Sequence, residues 1–141
     1  MEKYKVEPVF CPEAPNPLGN YSHAVIYENL IYVSGIASRD FVTNQVPGLV
    51  MEEDGRKRSY DIRLETQATL ENIKKILIAA GSDLEHVIEV NAFLLDMRDF
   101  KVYNEVFASY FPSHRPARTT IGVAGLPGNI AIEMKVIAAK K

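Results

Sequence analysis

The chain contains a single cysteine, Cys11, which excludes an intramolecular disulfide and any centre built from several thiolates. Nothing therefore ties it to an oxidising compartment, and a cytoplasmic location is expected. No apolar run approaches the roughly 20 residues that cross a bilayer, and the opening MEKYKVEPVF has no apolar signal core, so no membrane partner is expected. The 16 basic and 18 acidic side chains leave a formal charge of −2. That removes the broad positive field of a protein that tracks a phosphate backbone. Nucleic acid is not an expected partner, although one or two well-placed cations suffice for a small anion. The three histidines are scattered, with no cysteine or carboxylate at ligand spacing around them, and no metal site is expected. Cys11 sits in a proline-rich segment without an adjacent activating group, which argues against a nucleophile. Internal repeats and low-complexity runs are also lacking.

What is present is the ordinary balance of a globular chain, 47% hydrophobic and 24% charged over 141 residues, enough for one core and too little for two. A single domain spanning 1–141 is expected. Cys11 to Asn20, CPEAPNPLGN, is dense in turn formers and reads as part of an extended arm over 1–20, with regular structure beginning after it. The runs AVIY and LIYVSG flank Glu28-Asn29, where Asn tolerates positive φ, and predict a β-hairpin. Residues 40–60 read as a long loop with a turn at Pro47-Gly48; within it, the alternating charges of Met51 to Ser59 suggest exposure. Leu70, Ile73, Ile76, Leu77 and Ala80 recur at helical spacing and predict a helix from Asp61 to Ala80, ended by Gly81. Ser82 and Glu85 fit either a capping box or a short turn. Val87 to Asp96 predicts a buried strand. Asp96 to Asp99 opens a second helix with Phe100, Tyr103, Phe107, Tyr110 and Phe111 on one face, a stripe read as core. Pro116 to Val123 and Ile130 to Ala139 predict two closing strands. Helices interleaved with strands give an α+β sandwich, and periodicity alone permits a ferredoxin-like arrangement.

Period-two alternation puts Glu133 and Lys135 on one face of the last strand, opposite Ile132, Met134 and Val136. If the GLPGN turn makes the last two strands an antiparallel pair, Arg118 and Glu133 can approach each other. A guanidinium grips a carboxylate through two parallel hydrogen bonds, and a nearby carboxyl group can relay a proton from water. The same two residues can equally form a cross-strand ion pair of little consequence.

PARTTIGVAGLPGNIAIEM (Pro116 to Met134) resembles the signature of the Rid family, the YjgF-like reactive intermediate deaminases. The resemblance extends through YSHAVIYENLIYVSG and through TLENIKKILIAAGSDLEHVIEVNAFLLDMRDFKVYNEVF. It implies a chorismate-mutase-like fold, a mixed β-sheet covered by two helices on one face. It also implies a homotrimer whose sheets form a central barrel, with active sites between subunits and residues of two chains in each. The activity implied is hydrolysis of a carboxylate-bearing enamine or imine to a keto acid and ammonia, with no cofactor.

By that resemblance Arg118 clamps the substrate carboxylate and Glu133 positions or protonates around the attacking water. Tyr21, Ser34, Gly35, Asn104 and Thr120 match further substrate-binding positions. Thr120 stands where many deaminating members have cysteine, and Ile36 where they have glutamine. VSGIASRD, GRKRSYDIRLETQATLENIKKIL and PARTTIGV look closest to the 2-aminomuconate deaminase branch. A dicarboxylate of that type needs a second cation, which Arg39 can supply. Burial raises and Arg118 lowers the pKa expected for Glu133. His23 and His114 read as structural. A non-enzymatic module that binds small carboxylates or serves chaperone or translation-related contacts is the first alternative. An endoribonuclease is the second, and it lacks a convergent histidine and lysine set.

Overall fold

The computed structural model describes residues 5–141; residues 1–4 of the expected arm lie outside the described residues. Regular structure begins earlier than the sequence suggests. Strand β1 (Val6–Val9) precedes the proline-rich segment and pairs antiparallel with β2 (Ala24–Tyr27). Its register is set by the partner strand, which a four-residue run cannot announce on its own. β2 and β3 (Leu30–Val33) form the expected hairpin. The positive φ in its turn falls on Glu28, at 54°, and not on Asn29.

The 40–60 segment is not a plain loop. Asp40 Oδ1 accepts hydrogen bonds from the amides of Val42 and Thr43 at 2.8 and 2.9 Å. Gly48 takes φ 77° in the expected Pro-Gly turn. A small ribbon then forms from β4 (Val50–Met51) and β5 (Lys57–Ser59), and its exterior is exposed as the charge alternation implies.

Helix α1 (Ile62–Ala79) starts where Asp61 Oδ1 accepts from the Leu64 amide at 3.0 Å, one of the donors a helix start leaves unpaired. It ends at Gly81, whose φ of 86° lets the Ser82 amide reach back to the Leu77 carbonyl. Leu70, Ile73, Ile76 and Leu77 are fully buried, each worth about 2 kcal/mol in removed apolar surface. Polar residues interrupt the same inward face, for Glu65, Thr66, Thr69 and Asn72 are buried too. The two threonines return their hydroxyls to the carbonyls of Ile62 and Glu65, both at 2.7 Å. After α1 a short 3-10 turn at Leu84–His86 leads into the sheet. Ser82 makes no capping box there; its hydroxyl donates to the Ala139 carbonyl at 2.6 Å.

β6 (Val87–Leu94) is the hub of the sheet. Helix α2 (Phe100–Tyr110) follows a 3-10 turn whose start is capped by Asp96. β7 (Ala117–Gly122) and β8 (Ile132–Ala139) complete the chain. The strand order is β1-β2-β3-β8-β6-β7, mixed because β6 and β7 run parallel. The two helices cover one face of this sheet, the architecture that the resemblance implies.

One expectation is overturned by this order. β7 and β8 are not neighbours, because β6 lies between them. Val90 of β6 is opposite Arg118 on one side and Val136 on the other, while Phe93 is opposite Ile121 and Glu133. Val90 and Val136 point into the helix-covered core. Alternation therefore sends Arg118 to the helix side and Glu133 to the open side. Within one chain these two side chains occupy opposite faces and cannot form the cross-strand pair. The turn between them is tight enough for a hairpin, but β8 pairs instead with β3 and β6, where its buried alternate residues find the core.

Candidate active site

The predicted residues collect into two groups. The first surrounds Arg118. Its Nη1 donates to Asn104 Oδ1 at 2.9 Å. Its guanidinium carbon lies 4.7 Å from the ring centre of Phe107, 5.2 Å from that of Tyr103 and 5.8 Å from that of Phe100. The aromatic stripe of α2 is thus core along Tyr103, Phe107 and Phe111 and also a bed for a cation, which attracts ring faces by their quadrupoles. Thr120, two residues along the same face, shares a 2.7 Å hydrogen bond with the hydroxyl of fully buried Tyr103. Burial pushes the Tyr103 phenol above its ordinary range, so it stays a neutral partner for Thr120. The effect of the group is to hold a planar cation half-exposed with one nitrogen already occupied, leaving the rest of the fork for an anion.

The second group lines a cavity of about 90 Å³ enclosed by the arm near Ala14 to Leu18, the segment 35–39, and the turn before β8. Tyr21, Gly35, Arg39 and Glu133 face it. Tyr21 is half-exposed and its hydroxyl accepts from the Leu18 amide at 3.3 Å. Arg39 donates from Nη2 to the Asn16 carbonyl at 2.6 Å, while its buried Nε has no partner among the described residues. Glu133 is half-buried, and loss of hydration raises its pKa. The lowering expected from Arg118 is absent within the chain because the guanidinium lies on the other face. Gly35 has a steric reason to be glycine: a Cβ there would overlap Glu133 Oε1 and lie 3.0 Å from its Cδ. Ile36 forms an isolated antiparallel bridge to Met134 and keeps this wall against β8.

Ser34 does not line the cavity. Its hydroxyl donates to the Ser22 carbonyl at 2.7 Å and its amide to the His23 carbonyl at 2.9 Å, fastening the arm to the end of β3. His23 is buried and its role follows from its partners. The Cys11 amide can only donate to Nδ1 (2.9 Å) and the Pro15 carbonyl can only accept from Nε2 (2.7 Å). The ring is therefore the neutral Nε2-protonated form with both nitrogens used. His114 likewise spends Nε2 on the Val87 carbonyl. Both histidines are structural, as the sequence suggests.

Three contributors were not evident from motifs. Asn72 donates from Nδ2 to the carbonyls of Ala37 and Arg39 at 2.9 and 3.0 Å, and Ser38 and Glu65 bond to each other beneath the cavity wall. The signal of Asn72 and Glu65 was on α1, where polar residues fall in phase with the apolar stripe. A buried polar residue at such a position needs a partner.

A family model described as endoribonuclease L-PSP matches residues 11–140, and the chain belongs to that family, the YjgF-like Rid proteins. A chloroplastic protein of Arabidopsis thaliana named Reactive Intermediate Deaminase A is 39% identical over 134 residues, covering 95% of this chain and 66% of the relative. A Dermatophagoides farinae protein named 2-iminobutanoate/2-iminopropanoate deaminase is 36% identical over 129 residues, 92% of each chain. Among solved structures, Escherichia coli TdcF with bound serine superposes with a TM-score of 0.83 at 27% identity, covering 96% of this chain and 99% of that one.

Proposed function

We propose that this protein is a deaminase that adds water to the C=N carbon of a carboxylate-bearing imine, or of the enamine that tautomerises to it, releasing a keto acid and ammonia. The observation that carries the reading is the preset Arg118 guanidinium, gripped by Asn104 and backed by three rings, which is a carboxylate clamp in search of its anion. Glu133, with its pKa raised by burial, supplies the complementary group: it orients the attacking water and returns the proton to the departing nitrogen. An imine carbon is already electrophilic, so fixed geometry and one proton relay meet the demand. A relative named as a reactive intermediate deaminase, another named as a 2-iminobutanoate/2-iminopropanoate deaminase, and a relative solved with bound serine support the same chemistry.

Because Arg118 and Glu133 lie on opposite faces of one sheet, the complete site on this reading forms between copies, the clamp of one against the cavity of the next. The open sheet face carries Val25, Tyr32, Phe93, Ile121 and Ile137 by alternation. Tyr32 and Ile121 are 38% and 46% exposed, surface that a homotrimer with facing sheets would cover. Arg39, which lines the cavity and whose buried Nε has no partner among the described residues, favours a dicarboxylate of the 2-aminomuconate type over 2-aminoacrylate. A cytoplasmic setting goes with the reading. Neither nitrogen of His23 is available for ribonuclease chemistry.

The test is ammonia and keto acid release from freshly generated 2-aminoacrylate and 2-aminomuconate, with an RNA-cleavage control. Turnover above the buffer rate, greater for the dicarboxylate, is expected. RNA cleavage without ammonia release would reverse the assignment, and a preference for 2-aminoacrylate would remove Arg39 from the substrate.

A further inference from the structure

Glu65 is the least expected side chain in the core. It is fully buried on the inward face of α1. Its Oε1 accepts from Ser38 Oγ at 3.0 Å and from the Ala131 amide at 2.9 Å, and its Oε2 is buried with no partner among the described residues. The two donors belong to two segments that line the cavity. Ser38 is in the segment that presents Gly35 and Arg39, and Ala131 is two residues before Glu133. We propose that Glu65 is a positioning residue for the cavity, a neutral carboxyl group that braces the 35–39 segment against the start of β8 and thereby fixes Glu133 opposite Gly35. The proposal rests on the role given to Glu133 above.

The neutral form follows from the surroundings. A buried carboxylate is sustained by a contacting cation or several donors, and loses its charge otherwise. Lys57 from β5 is the cation that faces Glu65, but its ammonium is directed to the Ile130 carbonyl at 3.5 Å and lies 5.2 Å from the Tyr60 ring centre. Asp61, at the start of α1, adds a like charge. The Tyr60 hydroxyl is committed to Asp99 at 2.6 Å. Desolvation dominates and raises the Glu65 pKa. A neutral acid has one acceptor oxygen for the two donors and one hydroxyl, a pattern that the glutamine amide reproduces and alanine does not.

Three variants separate this role from general packing: Glu65→Gln, Glu65→Ala and Ser38→Ala, the last keeping the test open if the alanine at 65 does not fold. The first readout is hydrogen exchange at the Ala131 amide, which needs no substrate. Glu65→Gln should exchange within about threefold of the parent and Glu65→Ala about tenfold faster or more, the scale of one lost buried hydrogen bond. The second is the titration of Glu133 by carboxyl carbon NMR, expected to move in Glu65→Ala and Ser38→Ala and to be unchanged in Glu65→Gln. The third is imine hydrolysis, where a fall in kcat with KM nearly constant is expected for the alanine variants and rescue for glutamine. Glutamine behaving as alanine would overturn the neutral brace, and an unmoved Glu133 titration in both alanine variants would overturn the positioning role. If the parent protein releases no ammonia, the deaminase reading fails, while exchange and titration still decide the role of Glu65.

Discussion

Replacing Arg118 by lysine keeps the charge and removes the geometry, so it isolates what the guanidinium contributes. An ammonium cannot lie flat against Phe107 and Tyr103 at 4.7 and 5.2 Å while donating to Asn104. It also cannot offer two parallel donors to a carboxylate. A cation no longer seated on the rings must be ordered by the substrate, at a cost of about 0.5–2 kcal/mol, the worth of the ring contact, and loss of one charge-assisted hydrogen bond to substrate costs about 1.5–3 kcal/mol. Together, without full additivity, about 2–4 kcal/mol is removed from transition-state binding, or about 30- to 1,000-fold in kcat/KM. Steady-state ammonia release from the preferred imine measures it. Arg118 is half-exposed on an edge strand, so loss of its ring contacts should lower the melting temperature by only a few degrees. Retention of kcat/KM within about threefold would refute the clamp and return Arg118 to surface packing. Asn104→Ala, which frees the guanidinium without removing it, should fall between the parent and the lysine variant.

Glu133→Gln should fold and bind keto acid but lose about 10² to 10⁴ in kcat, the usual cost of a positioned acid or base; calorimetry beside kinetics checks both halves. If the ionised form activates water, kcat/KM in the parent rises as pH climbs through the elevated Glu133 pKa, and glutamine removes that limb. For stability the sign is opposite: a raised carboxyl pKa favours the fold most below the unfolded value, and this contribution declines as pH rises toward the folded value. Urea titrations of the parent against Glu133→Gln at several pH values should show the gap widening across that window. Gly35→Ala should displace Glu133 by steric overlap and reduce kcat while leaving the fold intact by circular dichroism. Asn72→Ala removes two hydrogen bonds to the cavity wall and should cost about 1–3 kcal/mol in urea denaturation. Light scattering at micromolar concentration should give a trimer, and a monomer with full turnover would end the shared-site reading.

Local patterns carried much of the fold. The spacing of Leu70, Ile73, Ile76 and Leu77 announced α1, Gly81 its end, and the AVIY and LIYV runs the hairpin. Strand adjacency was not legible, because the GLPGN turn is compatible with a hairpin and gives no sign that β6 inserts between β7 and β8. That gap produced the mistaken pairing of Arg118 with Glu133. β1 escaped notice because a short edge strand owes its shape to its partner. The residues of the candidate site were proposed from the resemblance, and their division into two groups was not legible in it. Arg118 drew its surroundings from a stripe read only as core, and Glu65 and Asn72 were hidden among helix residues whose partners come from distant segments.

The opposite-face placement of Arg118 and Glu133 has a genetic consequence under the proposed assembly. Two defective copies of the gene, one altered at 118 and the other at 133, would each encode an inactive protein, yet co-expressed they should complement. A junction works whenever the intact clamp of one chain meets the intact acid of the other, which random mixing of equal amounts achieves at about a quarter of junctions. Two alleles altered at the same position should never do so.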